Sequence, residues 1–493
     1  MVLLLELFAV LTLLELCLWS KHYWPYRKGL SWLLMITTAM VSLGLLFIHP
    51  RVWTALLLYS TFYRGFNLSR IVKGRIHEGY LRRVTLRTSV LIIVGQFLIV
   101  GTMAVSSPSR WFVLTVLQLC LATTLLLSTI RHMRTTREPV LTKSYVDRDL
   151  PSLSVAIPAR NESEDLEECL QSLLANNYPK LEILVLDDCS SNAKTPEIIR
   201  SFAHDGVRFV AGSEPETTWL AKNWAYERLA EEANGELILF CGVDTRFAPD
   251  GLRTLVANLI EKDKSMVSVL PHNENIGLGA QLLQPMRYAW ELSLPRRLFQ
   301  RPPVLSTCWL IKKSLLVSAG SFKAVSRSVV PESHFARSSS VHDGYSFVRS
   351  NAVVSRKSAY EQRATAIRTR YPQLHRRPEL VALLTLMEVV GIVGPIALAV
   401  TAGLDRHFLA LFIGIVSYIM LTIGWLIVNA MTYGKVLPFS LVNLPLAIAT
   451  DVTLMHYAMF KYEFSDVIWK GRNVCIPVMH VMSRLPDVTA SSE

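Results

Sequence analysis

Cysteine is scarce and scattered, with seven residues at 17, 120, 169, 189, 241, 308 and 475 and no Cys-x-x-Cys spacing among them. An odd, dispersed set excludes a disulfide framework and offers no zinc-ligand pattern. These thiols read instead as small apolar residues in a reducing compartment. Neither Gly-x-Gly-x-x-Gly nor a Gly-x4-Gly-Lys-Ser/Thr loop is present, which removes the common dinucleotide and P-loop signatures. The N-terminus lacks the basic region and small-residue cleavage site of a secretory signal. Acids are also short, 39 against 51 Lys and Arg, for a formal charge of +12. The surplus cations cluster beside apolar segments, where membrane orientation and anionic lipid account for them, so no nucleic-acid partner is expected.

What the chain has in abundance is apolar sequence. Over 493 residues, 51% are hydrophobic and the mean hydropathy is +0.32, too apolar for a wholly soluble protein. Val2 to Trp19, Leu30 to Ile48, Val52 to Tyr63, Val90 to Val105 and Trp111 to Ile130 predict an N-terminal membrane region over 1–130 with about five segments. Arg64, Arg70, Lys73, Arg75, Arg82, Arg83 and Arg87 stand between the third and fourth against one acid, Glu78. The fifth segment exits into Arg131, His132, Arg134 and Arg137. Cationic loops stay on the inner side of a membrane, so the first of these stretches is expected in the cytoplasm, together with the polar sequence after Arg137. Leu380 to Ala402, Phe408 to Met431 and Leu437 to Phe460 predict a second membrane region over 379–460. Three full crossings there would place Lys461, Lys470 and Arg472 of the 461–493 tail outside, so one segment is expected to lie in the interface or re-enter. The chain is thus expected to be an integral protein of the plasma membrane.

From 150 to 375 the pattern changes to short strands alternating with helices, an α/β domain with a largely parallel sheet. Strands are predicted at 153–157, 182–186, 207–210, 236–240 and 266–270. Helices are predicted after Ser163, from Trp219 to Ala233, and from Pro249. Three strand ends then meet at one sheet edge: Pro158-Ala159-Arg160-Asn161-Glu162, Asp187-Asp188, and Asp244. Open α/β sheets bind ligands at that edge. Acids gathered there repel one another unless a cation or a donor-rich ligand lies between them. The plainer alternative has Asp244 capping the turn before Pro249.

Ser154 to Glu162, Ile183 to Ser191, Trp219 to Ala225 and Phe240 to Thr245, in that order, resemble the successive motifs of glycosyltransferase family 2. The polytopic membrane members are the most similar, among them ceramide glucosyltransferase and the hopanoid- and carotenoid-associated enzymes. Ile468-Trp469-Lys470-Gly471-Arg472 resembles their C-terminal motif. The resemblance implies a GT-A-like, Rossmann-like α/β domain in the cytoplasm, inserted between transmembrane helix bundles. It implies a nucleotide-sugar donor, UDP-linked by preference, inversion at the anomeric carbon, and a membrane lipid or lipid-linked acceptor.

By position, Pro158, Arg160, Glu162, Asp187, Asp188 and Lys222 would bind the nucleotide, although Lys222 reads equally well as an exposed helical lysine. Asp244 would hold Mg²⁺ or Mn²⁺. Arg368, Arg370 and Tyr371 stand where the family has Gln-x-x-Arg-Trp and, with Trp469 and Arg472, would serve the acceptor or diphosphate. Two departures matter. Gly242-Val243-Asp244 lacks the first acid of Asp-x-Asp, and Pro331-Glu332-Ser333-His334 stands where Glu-Asp supplies the base, leaving Glu332, His334 and Asp343 as candidates. The alternative to an active enzyme is an inactive relative serving as a nucleotide-sugar-binding scaffold or sensor.

Overall fold

The computed structural model describes residues 2–18, 27–72, parts of 92–100, 107–139, 145–216, 218–293, 302–374 and 376–474. In chain order its main helices are α1 (Val2–Leu18), α2 (Arg27–Ile48), α3 (Val52–Val72), α4 (Ser107–Thr135), α5 (Glu164–Leu174), α6 (Lys194–Ser201), α7 (Ala221–Glu232) and α8 (Gly251–Glu261). They continue as α9 (Leu278–Leu292), α10 (Lys313–Ser318), α11 (Pro331–Ser340), α12 (Ala359–Gln373), α13 (Pro378–Glu388), α14 (Gly394–Leu404), α15 (Phe408–Tyr433) and α16 (Leu444–Phe464). The chain divides into two units, 1–123 with 376–419 and 124–375 with 420–493.

In the first unit, Leu5, Phe8 and Leu11 of α1 pack with Val41 and Leu45 of α2 and Leu57 of α3. Arg64 and Arg70 lie inside α3 and not in the basic loop expected from sequence. Arg64 is buried and donates to the Gln96 side chain at 2.5 Å, a pairing that lets a cation sit in an apolar helix packing. The expected segment at 90–105 falls mostly outside the described residues. α13 joins α14 through a π turn at Val389–Val393. Pro395 has no N–H for the Gly391 carbonyl four residues earlier, and the Gln118 side chain donates to that carbonyl at 2.8 Å.

Three helical stretches among the described residues are long and apolar enough to cross a membrane: Leu114–Thr135, Leu380–Leu404 and Phe408–Tyr433. α16 is not one of them. It carries Asp451 and Glu463, both buried, and belongs to the second unit.

The second unit is built on β1 (Leu153–Ala159), β2 (Leu181–Asp187), β3 (Val207–Ala211), β4 (Leu237–Cys241), β5 (Thr245–Phe247), β6 (Met266–Asn273), β7 (Cys308–Lys312) and β8 (Tyr345–Ser355). Their spatial order is β3-β2-β1-β4-β7-β6-β8-β5. The half from β3 to β4 is parallel as expected. The other half is mixed, because β7 runs antiparallel between β4 and β6 while β5 runs antiparallel on β8. The five strands expected from sequence are all present, and β5, β7 and β8 are additional to them.

Strand side chains alternate between two cores, as period-2 geometry requires of a sheet covered on both faces. Val155, Ile157, Val185 and Leu239 face α5 and α8 through Leu166, Leu170, Leu255 and Leu259. Ala156, Leu184, Ile238 and Phe240 face α7 and α11 through Tyr226, Leu229 and Phe335. This is the GT-A-like α/β/α arrangement. α8 begins at Gly251 and not at Pro249, which lies in the preceding turn with its carbonyl accepting from the Asn177 N–H at 2.8 Å. A short hairpin, β9 (Ile468–Trp469) and β10 (Arg472–Asn473), comes after α16.

Candidate active site

Parallel register sets Ala159 beside Asp187, and Asp187 beside Ala211, so the chain leaves β1, β2 and β4 at the same edge. Asn161 and Cys189, the residues that turn away from β1 and β2, take left-handed backbone with φ of 48° and 51°. Non-glycine residues hold that conformation only where their surroundings fix it, and such positions cluster at functional sites. Here the fixing groups are explicit. Asn161 Oδ1 accepts from the Ser191 N–H at 2.9 Å, and Arg160 Nη1 donates to the Cys189 carbonyl at 2.8 Å.

The β9–β10 hairpin closes this end. Arg472 Nη1 donates to both Asp188 oxygens, at 2.7 and 2.6 Å, and Lys470 pairs with Glu162. Arg160 Nε donates to the Lys470 carbonyl at 3.1 Å. Burial pushes the Asp188 carboxyl up, against the pull of Arg472, and burial likewise raises Glu162 against Lys470.

Beyond the hairpin opens a cleft of about 490 Å³. Asp244 stands on its floor, in the turn between β4 and β5, with Oδ2 3.6 Å from Lys357 Nζ and 3.5 Å from Ser355 Oγ. Burial alone would raise the Asp244 carboxyl. The Lys357 ammonium, its own backbone N–H and the Arg287 guanidinium outweigh burial and hold it below the usual carboxylate range. Lys357 lies just after β8, and Lys222 occupies the first turn of α7 with Nζ 5.2 Å from the centre of the Tyr226 ring. Arg287 of α9 donates to Ser306 Oγ at 3.2 Å, and Arg368 of α12 stacks over Trp469 at 4.6 Å. Burial lowers both lysines, and each is lowered further by neighbouring cations. Burial brings Arg368 down to about 10.

Of the residues singled out from sequence, Pro158, Glu162, Lys222, Asp244, Arg368, Trp469 and Arg472 line this one cleft. Arg160 and Asp188 lie under the hairpin. Asp187 is a turn residue, its carboxylate accepting from the Ser190 N–H at 3.2 Å. Arg370 and Tyr371 do not face the cleft. Arg370 pairs with Asp451 at 2.7 Å and Tyr371 donates to Glu463 at 2.7 Å, so both tie α12 to α16.

His334 Nε2 lies 3.0 Å from the Ala319 carbonyl, and its ring packs edge-on against Phe335. Asp343 is 97% exposed and pairs with Lys264. Neither is a candidate base. Glu332 is buried in the first turn of α11, and its charge acts on Lys222 and Tyr226, both cleft residues. Two cleft cations, Lys357 and Arg287, are not among the residues expected from sequence. They belong to no motif, and Lys357 becomes visible only once β8 is known to end at Ser355.

Among the described residues no three His, Cys, Asp or Glu side chains are placed to hold a metal. Asp244 is ionised and lines the cleft, so it can supply one carboxylate. A Mg²⁺-like ion bound by one or two carboxylates and by phosphate oxygens is a common arrangement, and Asp244 fits it.

Residues 154–318 match the sequence profile of Glycosyl transferase family 2, a span running from β1 through α10 that contains Asp188, Lys222 and Asp244. This segment is a family 2 glycosyltransferase domain. The chain is 33% identical over 99 residues to glycosyltransferase AglE of Haloferax volcanii, covering 19% of this chain and 31% of that protein. Over 127 residues it is 28% identical to hyaluronan synthase of Streptococcus pyogenes, covering 24% and 29%. The chain thus spans about three tenths of the length of these curated relatives. A mannosyltransferase of Pyrobaculum calidifontis, solved with GDP-Man and Mn²⁺, superposes with a TM-score of 0.42 at 18% identity, over 71% of this chain and 98% of its own. A likeness that slight supports no site assignment.

Proposed function

We propose that the chain is a membrane glycosyltransferase that moves a sugar from a nucleoside-diphosphate donor, a UDP-sugar, to a lipid or lipid-linked acceptor at the cytoplasmic face of the plasma membrane. One observation carries this reading: a family 2 domain opens, at the strand-end edge of its sheet, a cleft in which one ionised carboxylate, Asp244, is held by the half-buried cations Lys357 and Arg287. Three apolar helices long enough to cross a membrane support a membrane-borne acceptor. The basic residues flanking the domain support the cytoplasmic side.

In the step proposed, the acceptor hydroxyl oxygen bonds to the anomeric carbon as the carbon–oxygen bond to the diphosphate breaks. The electron pair leaves with the diphosphate, and the acceptor's proton passes to Glu332. The protein's own part is to bind and orient the diphosphate beside Lys222 and Arg368, to exclude water beneath the hairpin, and to receive that proton. A divalent ion held by Asp244, Mg²⁺ or Mn²⁺, would supply further charge for the leaving group.

The test uses purified full-length protein with Mn²⁺, a panel of nucleotide sugars and extracted membrane lipids, monitoring nucleoside diphosphate release and product mass. Transfer from one donor, lost in Asp244→Asn, is the expected result. The scaffold reading draws on Arg472 and Lys470, which engage Asp188 and Glu162 in place of an open nucleoside end. Donor binding without release or transfer would establish that reading instead.

A further inference from the structure

Besides Arg472, whose charge is met by Asp188 and Glu214, four cations enter the cleft from three helices and one loop: Lys222 from α7, Arg287 from α9, Lys357 from the β8–α12 connection and Arg368 from α12. Of these four, Lys357 alone has a carboxylate within ion-pair distance among the described residues, and its separation from Asp244, 3.6 Å, is too long for a hydrogen bond. Lys222 rests on an aromatic ring, Arg287 on a neutral hydroxyl, and Arg368 on Trp469 and on neutral oxygens of its own helix. The other acids acting on them are Glu332, buried behind Lys222, and Glu361, whose carboxylate caps α12 by accepting from the Ser358 N–H at 2.9 Å.

Cations gathered at half-buried positions without matching acids repel one another and lose part of their hydration. They lower one another's affinity for a proton, as the two lysines show. A fold keeps such a cluster where a polyanion completes it, and the charge to be matched is more than one carboxylate can supply. A sugar diphosphate diester carries two negative charges and acquires a third as the glycosidic bond breaks, so charge developing on the leaving group meets cations already in place.

We propose that Lys357 and Arg287, together with Lys222 and Arg368, form a diphosphate subsite that binds the two phosphate groups through side-chain cations, whether or not a divalent ion is present. Lys357 and Arg287 are its new members. The inference rests on the reading of the cleft as a nucleotide-sugar site, and it adds that the diphosphate is gripped first by the protein. Asp244 then has opposite effects in the two conditions. With a divalent ion it assists diphosphate binding as a ligand. Without one it is a bare anion beside an incoming anion, and its removal strengthens binding.

The probe is inorganic pyrophosphate, titrated calorimetrically into the full-length protein with EDTA present and again with Mn²⁺. In EDTA, wild type binds with an affinity that falls as salt rises. Lys357→Gln and Arg287→Gln each weaken that binding about tenfold, the loss of one charged phosphate contact, while Lys357→Arg recovers most of it. Asp244→Asn tightens binding in EDTA and weakens it with Mn²⁺. Elution volume and thermal unfolding of each variant establish that it is folded.

Pyrophosphate binding that occurs only with Mn²⁺, or is unchanged in both the Lys357 and Arg287 variants, overturns the subsite. That result leaves the proposed transfer standing. Conversely, a wild type that binds pyrophosphate in EDTA yet transfers no sugar from any nucleotide donor supports the subsite and overturns the enzymatic reading.

Discussion

A Cβ atom built on Gly242 would stand 2.5 Å from Oδ1 of Asp244. The missing first acid of the Asp-x-Asp pattern is thus a fitted glycine, and the Asp244 carboxylate folds back over it. The atom in the way is the end of a side chain, so a larger residue displaces the carboxylate before it disturbs the strand. Gly242→Ala is expected to fold, to lose about 1–3 kcal/mol from crowding, and to weaken Mn²⁺-dependent nucleotide binding about tenfold by moving the ligand. Titration of nucleotide at fixed Mn²⁺ checks this. Wild-type affinity in that variant would mean the carboxylate's position is immaterial.

Glu332 tests the proton's destination. Glu332→Gln keeps the shape and one acceptor oxygen while removing basicity, and it is expected to lower transfer by at least about 100-fold with nucleotide affinity within about threefold. Steady-state rates beside a binding titration separate the two. A loss confined to binding would make Glu332 a positioning residue for Lys222 and no base.

The cleft lysines give a pH dependence of definite sign. Their folded-state pKa values lie below the ordinary lysine value of about 10.4, so between the two values the unfolded chain holds more protons and stability rises with pH. Anion affinity falls over the same alkaline window, because those lysines are losing the charge that attracts phosphate. Ligand-free thermal stability and pyrophosphate affinity should therefore move in opposite directions as pH rises through that window, and Lys222→Met should flatten both trends. Parallel movement would contradict the assignment.

Arg370 and Asp451, side chains 6% and 3% exposed, make a different kind of pair. Trp290 Nε1 also donates to Asp451, at 3.2 Å, and its ring lies 4.3 Å from the Arg370 guanidinium. Asp451→Ala strands a buried cation and is expected to cost about 3–5 kcal/mol, seen as a lower unfolding temperature in detergent. The double replacement with apolar residues should recover much of that loss. Equal activity per folded molecule in the single variant would agree with a tether between α12 and α16.

The parallel half of the sheet is legible in the sequence because β1, β2 and β4 are continuous apolar runs buried on both faces, each ending in a polar motif. The mixed half is not. β7 holds Cys308, Trp309 and Leu310 in an apolar segment too short to tell strand from buried helix by its pattern, and β8 reads Tyr345 to Ser355 with polar residues interleaved. Asp244, Lys222 and Arg368 can be named because they sit in or beside motifs. Arg370 and Tyr371 share the Arg368 motif, yet two residues of helix turn Arg370 about 200° away, toward Asp451 of α16, and Tyr371, only about 60° round from Arg368, spends its hydroxyl on Glu463 of the same helix. A linear pattern cannot state which face of a helix meets the ligand. Lys357 and Arg287 depend on pairings between distant segments, and for those one sequence carries no local signature.

The bond from Arg472 to Asp188 joins residues 284 positions apart. During synthesis the family 2 segment leaves the ribosome long before the hairpin that closes the β1–β2 end of its sheet, with α13, α14 and α15 still to be made. A nascent or prematurely terminated chain therefore has every strand of the eight-stranded sheet and Asp244, but no Trp469 or Arg472 to wall the cleft. The chain cannot finish its own cleft until the apolar helices between have been made, so on the proposed function donor binding would begin only after all three helices long and apolar enough to cross a membrane have been synthesised.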